Sequence, residues 1–375
     1  MGLTYKIGLV LDDSLDSTDG VQQYVLTMGK WLAAMGHDVH YLVGQTTRTD
    51  IPNVHSLSRN MNVRFNGNRM SMPMPANKQA IRQLLAREQF DVLHVQMPYS
   101  PFLAGRIIGA AGPKTAVVGT FHILPNSSLA GLGTQLLGRV LHGSLKRFDQ
   151  IMSVSAAAAD FAKSSFGIDS QVVPNTADLT PFFNAKPFAA YNVPTIVFLG
   201  RLVPRKGAGH LLHAIARMER KDPFKVVICG GGPLDGELKN FVRQQKLGDI
   251  VEFTGKVTEA DKPRYLASAD IAIYPSTGGE SFGIVLLEAM AAAHGAVLAG
   301  NNPGYASVMG EHDEALFNPK DEAALAVRLT ALLHDKTARE EAQSWQQHYV
   351  RQFDVPTVGA QLLGVYADAL HKRRA

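Results

Sequence analysis

The chain has 375 residues, 46% hydrophobic and 19% charged, a globular composition that excludes a disordered polymer and allows two to three domains. Its formal net charge is +4, and its one cysteine, Cys229, excludes an internal disulfide framework and a cysteine-rich zinc site, which suits a reducing compartment. No apolar run approaches the roughly 20 residues of a spanning helix, and no signal-peptide pattern precedes the first strand, so the expectation is a soluble chain or one resting on a membrane surface.

A strand is predicted over 6–11, ending in Leu11-Asp12-Asp13. After a polar loop, Gly20 opens a helix over 21–34; a glycine there either lets backbone N–H groups approach a phosphate or marks an ordinary helix start, and Asp19 beside it would repel a phosphate. Strands follow at 38–43, 91–95, 116–120 and 150–154, with a helix over 78–87. His122 ends the strand 116–120; a lone histidine at a strand end is usually structural.

Charge is unevenly placed: residues 51–148 carry eleven Lys/Arg against two acids, Glu88 and Asp91. That excess suits an anionic partner or a solvated basic face. Within it, Leu129, Leu132, Leu136, Val140 and Phe148 fall near one helical face, and Gln135, Arg139, His142 and Lys146 on another. This is either a basic amphipathic helix for anionic lipid, aided by Met70, Met72 and Met74, or a core helix with a solvated face and an idle methionine loop.

Pro181, Pro187 and Pro194 break the periodicity over 180–194. Beyond them come strands at 195–199, 225–229, 250–253, 271–274 and 296–299, with helices over 207–218 and 237–245. Ten strands alternating with helices exceed one comfortable sheet and predict two doubly wound, Rossmann-like parallel-sheet α/β domains facing each other across a cleft, with ligands beyond the carboxyl ends of the strands. The domains are expected over 1–180 and 190–350, with a last helix, about 357–372, crossing back onto the first.

Two segments carry chemistry. Gly200-Arg201-Leu202-Val203-Pro204-Arg205-Lys206-Gly207 places three cations between a strand and a helix, where a parallel sheet binds a pyrophosphate; it lacks the Walker spacing, and a basic surface turn is the alternative. In Gly278-Gly279-Glu280-Ser281-Phe282-Gly283 and on to Glu288-Ala289, two carboxylates stand eight positions apart, expected on one side of a helix that is otherwise very apolar. A carboxylate there needs a partner, either the hydroxyls of a sugar or a nearby Arg or Lys. Gly230-Gly231-Gly232 and Pro303-Gly304 read either as turns or as loops lining a ligand site.

The acidic segment resembles the E-x7-E motif of retaining glycosyltransferases with the GT-B fold, and the chain is most similar to the phosphatidylinositol mannosyltransferases. The resemblance extends over Gly20-Val21-Gln22, Asp91-Val92-Leu93-His94, Gly119-Thr120-Phe121-His122, Val173-Pro174-Asn175, Phe198-Leu199-Gly200-Arg201, Arg205-Lys206-Gly207 and residues 279–292. It implies that Arg201 and Lys206 hold the donor pyrophosphate and offset the charge on the leaving nucleotide, with no metal or cofactor. It further implies that Glu280 binds hydroxyls of the transferred sugar and Glu288 the ribose, with Gly20 and Gly279 in donor-binding loops; Glu259 and Lys262 either contact the nucleotide base or form a solvated helix start. His122 would contact the sugar from the first domain, not as a general base, and Tyr99 either lines the acceptor pocket or packs. Two departures stand out: Asp19-Gly20 replaces a glycine pair, and His294-Gly295-Ala296 a glycine–proline pattern.

The resulting expectation is a retaining, metal-independent hexosyltransferase moving mannose from GDP-mannose to a membrane lipid such as a phosphatidylinositol. It would be cytoplasmic, peripheral on the inner face of the membrane, and without a nucleic-acid partner. UDP-glucose with diacylglycerol or a soluble sugar acceptor is the near alternative, and a non-catalytic nucleotide-sugar-binding protein the different-class one. A dinucleotide oxidoreductase is disfavoured, because the first strand lacks the G-x-G-x-x-G turn.

Overall fold

A computed structural model describes residues 4–17, 19–65, 68–122, 140–219 and 222–374. The chain packs as two units, Met1–Ala177 with Val355–Ala375, and Asp178–Asp354.

The first unit contains β1 (Lys6–Leu11), β2 (Asp38–Val43), β3 (Val54–Ser56), β4 (Asn60–Phe65), β5 (Asn68–Pro73), β6 (Val92–Met97), β7 (Ala116–Phe121), β8 (Gln150–Ser153) and β9 (Gln171–Val172). Seven of these form one parallel sheet in the order β3-β2-β1-β6-β7-β8-β9. Its central strands are buried from end to end, β6 and β7 at every residue, as helices on both faces require. The helix Gly20–Ala34 contributes Tyr24, Val25, Met28 and Leu32 to the core. So does the last helix, Val355–Arg374, through Val358, Leu362, Val365, Tyr366 and Ala369.

The antiparallel hairpin β4-β5 is absent from the expected elements. Strand β6 starts at Val92 because the Asp91 carboxylate accepts the Lys6 N–H at 2.8 Å and so closes the strand's foot. Of the predicted basic amphipathic helix, 129–139 lies outside the described residues; 140–145 is helical, with Val140 exposed and Phe148 buried just beyond it. Met70 and Met72 fall outside the described side chains, and Met74 is exposed.

The second unit holds β10 (Thr195–Leu199), β11 (Lys225–Cys229), β12 (Val251–Gly255), β13 (Ile271–Tyr274), β14 (Ala296–Gly300) and β15 (Leu316–Phe317), parallel in the order β12-β11-β10-β13-β14-β15. The unit begins at Asp178, ahead of the proline-rich stretch. The short helix Thr180–Phe183 explains why: its buried Phe182 lies 5.5 Å beneath the Lys262 ammonium and belongs to this unit's packing.

Each sheet reverses its strand order at one place, β1/β6 in the first and β10/β13 in the second. Loops beyond the carboxyl ends of such strands diverge and leave room for a ligand.

Candidate active site

In the second unit, the chain leaves β10 through exposed Arg201, makes a single 3-10 turn over Pro204–Lys206, and enters the helix Ala208–Arg217. Gly207 joins the two at φ +75°, and a Cβ there would meet the Pro275 carbonyl oxygen at 1.9 Å. Only glycine fits, so the cationic loop is pressed onto the segment that follows β13. The Arg205 carbonyl locks that contact, accepting Thr277 N–H at 2.9 Å and the Ser276 hydroxyl at 3.0 Å.

This stitching brings Glu280 to the cations. Glu280 Oε1 lies 2.6 Å from Arg205 Nη1 and 2.9 Å from Lys206 Nζ, and at 3.0 Å from Ser276 Oγ it shares that hydroxyl's one proton with the Arg205 carbonyl. Burial pushes the Glu280 carboxyl upward, but Lys206 and Arg205 outweigh it and hold it below its ordinary range. Glu280 is therefore an acceptor-only carboxylate in a partly desolvated setting, suited to hydroxyl donors. Its backbone is pinned too: a Cβ on Gly304 would meet the Glu280 carbonyl at 1.8 Å, so residues 303–309 pack directly under the motif. Gly279 precedes it at φ +70°.

The two glutamates do not share a helix face. The helix starts only at Ile284, with Gly283 as its N-cap, and Glu280 lies in the turn before it. Gly278, at φ +156°, and Gly279 and Gly283 end the helical path that the apolar run 282–287 suggests.

Glu288, buried in the helix Ile284–Ala292, meets a different cation. Lys262 Nζ lies 2.6 Å from Glu288 Oε1 and 2.9 Å from Glu259 Oε2, so one ammonium bridges both acids. Lys262 enters from the start of the helix Lys262–Ala267, which follows β12. Burial opposes its charge, yet Glu288 and Glu259 raise its pKa above the usual value; for Glu288 burial prevails over Lys262 and the carboxyl rises above its ordinary range. Glu259 is largely exposed.

The second unit thus pairs Lys206 with Glu280 in one cluster and Lys262 with Glu259 and Glu288 in another; Arg201 and Gly279 lie in the two loops that build the first. Two expected residues, Gly20 and His122, belong to the first unit. Gly20 opens its helix, exposed, behind Asp19, whose side chain makes no cap hydrogen bond. His122 follows β7 and is buried, its Nε2 2.7 Å from Gln96 Oε1 and its ring edge-on to Tyr24 at 5.2 Å. Burial pushes its pKa down to about 3, which keeps it neutral. Tyr99 is buried, bonded to the Ser144 hydroxyl at 2.8 Å and packed on Phe148.

Ser276 is absent from the sequence reading, and Arg205 enters it only as one of the three loop cations, not as a partner of Glu280. The signal for Arg205 was its place beside Lys206; Ser276 carried none, because its partners lie in the cationic loop and in Glu280.

Among the described residues, the group with the donor set for a metal is His40, His55 and Glu88. The two rings are nearly coplanar, 8° apart, with His40 Nδ1 2.9 Å from His55 Nε2, and Lys6 Nζ takes Glu88 at 2.8 Å. That geometry makes a ring-to-ring hydrogen bond and an ion pair. No described helix is long and apolar enough to cross a membrane.

Comparisons with known proteins give the fold and the family. The family model described as Glycosyl transferases group 1 matches residues 182–348, and that of Glycosyltransferase Family 4 matches 18–181. The chain is 32% identical to a phosphatidyl-myo-inositol mannosyltransferase of Mycolicibacterium smegmatis over 96% of its own length and 93% of the relative's. It is 27% identical to a GDP-mannose-dependent alpha-(1-6)-phosphatidylinositol monomannoside mannosyltransferase of Mycobacterium tuberculosis, covering 80% of this chain and 81% of that one. A glycosyltransferase from Rickettsia africae superposes with a TM-score of 0.77 at 18% identity, covering 98% of this chain and 99% of the other. Anabaena HepE in complex with UDP and glucose gives 0.72 at 19%, covering 97% and 99%. This chain is a GT-B glycosyltransferase and belongs to the phosphatidyl-myo-inositol mannosyltransferase family.

Proposed function

We propose that this chain transfers mannose from GDP-mannose to the inositol headgroup of a phosphatidylinositol lipid, with retention at the anomeric carbon. The observation that carries the reading is the pairing of Lys206 and Arg205 with Glu280 at the β10/β13 reversal, in a chain 32% identical over nearly its whole length to enzymes of that name. Arg201 and Lys206 take the donor diphosphate, and Glu280 exchanges part of its cation contact for hydroxyls of the mannose. Glu288 takes the ribose hydroxyls, and Glu259 and Lys262 face the base, where a carboxylate accepts from guanine N–H groups. Gly20 and Gly279 let backbone approach the donor, and neutral His122 bonds a mannose hydroxyl.

In the reaction, the bond from the anomeric carbon to the diphosphate oxygen breaks. The acceptor hydroxyl oxygen bonds the same face of that carbon, and its proton passes to the departing phosphate oxygen. Arg201 and Lys206 stabilise the negative charge that develops there.

A lipid acceptor is supported by the exposed apolar residues Met61, Met74 and Phe102 of the first unit. They are linked through its backbone: Met74 N–H bonds the Arg59 carbonyl, and Ala76 N–H bonds the Phe102 carbonyl. Arg59 and Lys78 flank Met61 and Met74 in the chain and Arg106 bonds the Ala76 carbonyl, so basic groups accompany the apolar ones, a combination suited to the cytoplasmic face of an anionic membrane. The test is a side-by-side assay of GDP-mannose and UDP-glucose on vesicles containing phosphatidylinositol. The reading expects mannosylated lipid from GDP-mannose and flotation with the vesicles. Preference for UDP-glucose, or no vesicle binding, overturns it.

A further inference from the structure

At the β1/β6 reversal of the first sheet, Gln96 of β6 meets His122, which follows β7. The strands are in register, Gln96 beside Thr120, and His122 N–H bonds the Met97 carbonyl at 3.2 Å. The Gln96 atom facing His122 Nε2 is the amide oxygen, which only accepts; the proton of the neutral ring therefore sits on Nε2, and Nδ1 carries the lone pair. Tyr24, from the helix after the Gly20 loop, packs edge-on at 65° and fixes the ring plane. A second buried chain supports the first, with His94 bonded to Thr120 Oγ1 at 2.6 Å and to the Tyr366 hydroxyl at 2.8 Å.

Gln96 is itself buried, and its Nε2 has no hydrogen-bond partner among the described residues. An orphaned amide donor costs stability, and leucine or methionine would fill the same space without that cost. A buried polar side chain that carries this cost beside a strand-order reversal points to a task in the site rather than in the core.

We propose that Gln96 is a positioning residue of the transfer reaction, holding His122 in the Nε2–H tautomer so that Nδ1 accepts a hydrogen bond from a hydroxyl of the transferred hexose. The proposal rests on the reading of His122 as a sugar contact. It accounts for a histidine that burial keeps neutral: a cation there would lose the acceptor nitrogen.

The test uses the full chain with labelled histidine, His122 assigned by its loss in His122→Phe, and its tautomer read from ring carbon and nitrogen shifts. In the parent protein the resonance is that of an Nε2–H imidazole, constant from pH 5 to 8. In Gln96→Leu the tautomers mix and kcat falls roughly tenfold, while GDP affinity and the melting temperature hold. In Gln96→Glu the acceptor is kept, so the tautomer and kcat return near pH 8. The new carboxylate raises the His122 pKa, so kcat then falls as pH is lowered, a profile the parent lacks. An Nδ1–H imidazole in the parent, or a tautomer unchanged in Gln96→Leu, overturns the role of Gln96. A shifted tautomer with unchanged kcat overturns the proposal through the reading of His122.

Discussion

One ammonium, that of Lys262, is held between Glu288 at 2.6 Å and Glu259 at 2.9 Å, the first acid buried and the second exposed. The two ends of the proposed nucleotide subsite, base and ribose, are thereby tied through a single side chain.

Removing that ammonium strands a buried carboxylate. Lys262→Met is expected to cost about 3–5 kcal/mol of stability, the usual result of breaking one side of a buried pair. Lys262→Met combined with Glu288→Gln recovers most of that loss, because no charge is left unpaired, but does not restore donor turnover. Denaturant titration of the single and double variants checks the first statement, and steady-state kinetics the second.

Glu280 stands in the other cluster, and its charge is what the site uses. Glu280→Gln keeps the shape but makes a poor partner for Arg205 and Lys206. The expected loss in kcat is on the order of 100-fold or more, as for other lost transition-state contacts, with the fold intact by circular dichroism.

Arg205 is assigned the orientation of Glu280 rather than contact with the donor. Arg205→Ala is expected to lower kcat roughly tenfold, because a misplaced group costs rate steeply. Arg205→Lys recovers part of the loss through its remaining charge. Equal GDP affinity in all three proteins separates orientation from diphosphate binding.

Acid should weaken the first unit in a traceable way. His122 and His94 both have folded pKa values pushed down to about 3 by burial, below the ordinary 6.5. The unfolded chain therefore binds more protons below pH 6.5, and their contribution to stability is lost as pH falls from there toward 3. Asp12 works against them: burial raises its pKa from 3.8 to about 6, so its contribution is present in acid and lost as pH rises through 6. Comparing stability from pH 7 to 4 in the parent and in His122→Phe isolates one histidine; the variant should show the shallower decline.

Much of the fold was readable because buried parallel strands write themselves as β-branched runs, as in Lys225–Cys229 and Ile271–Tyr274. The hairpin β4-β5 stands outside the expected elements although its signal is in the sequence, where Asn66-Gly67, a strong turn dipeptide, lies between its two strands. The shared helix face for Glu280 and Glu288 failed because spacing says nothing of where a helix begins, and Gly283 begins it late. Cation identity was half legible: Lys206 and Lys262 stood in motifs, but the bond from Arg205 to Glu280 spans 75 positions. Gln96 gave no signal at all, since its meaning lies in the register that sets it beside His122.

The account stands on the claim that the cationic loop after β10 grips the donor diphosphate. Isothermal titration of GDP into the parent chain and into Lys206→Ala tests it most directly. The prediction is an affinity weaker by roughly tenfold to a hundredfold in the variant, the worth of one charge-assisted contact, with the fold intact by circular dichroism. Equal affinity for GDP in the two proteins would contradict it.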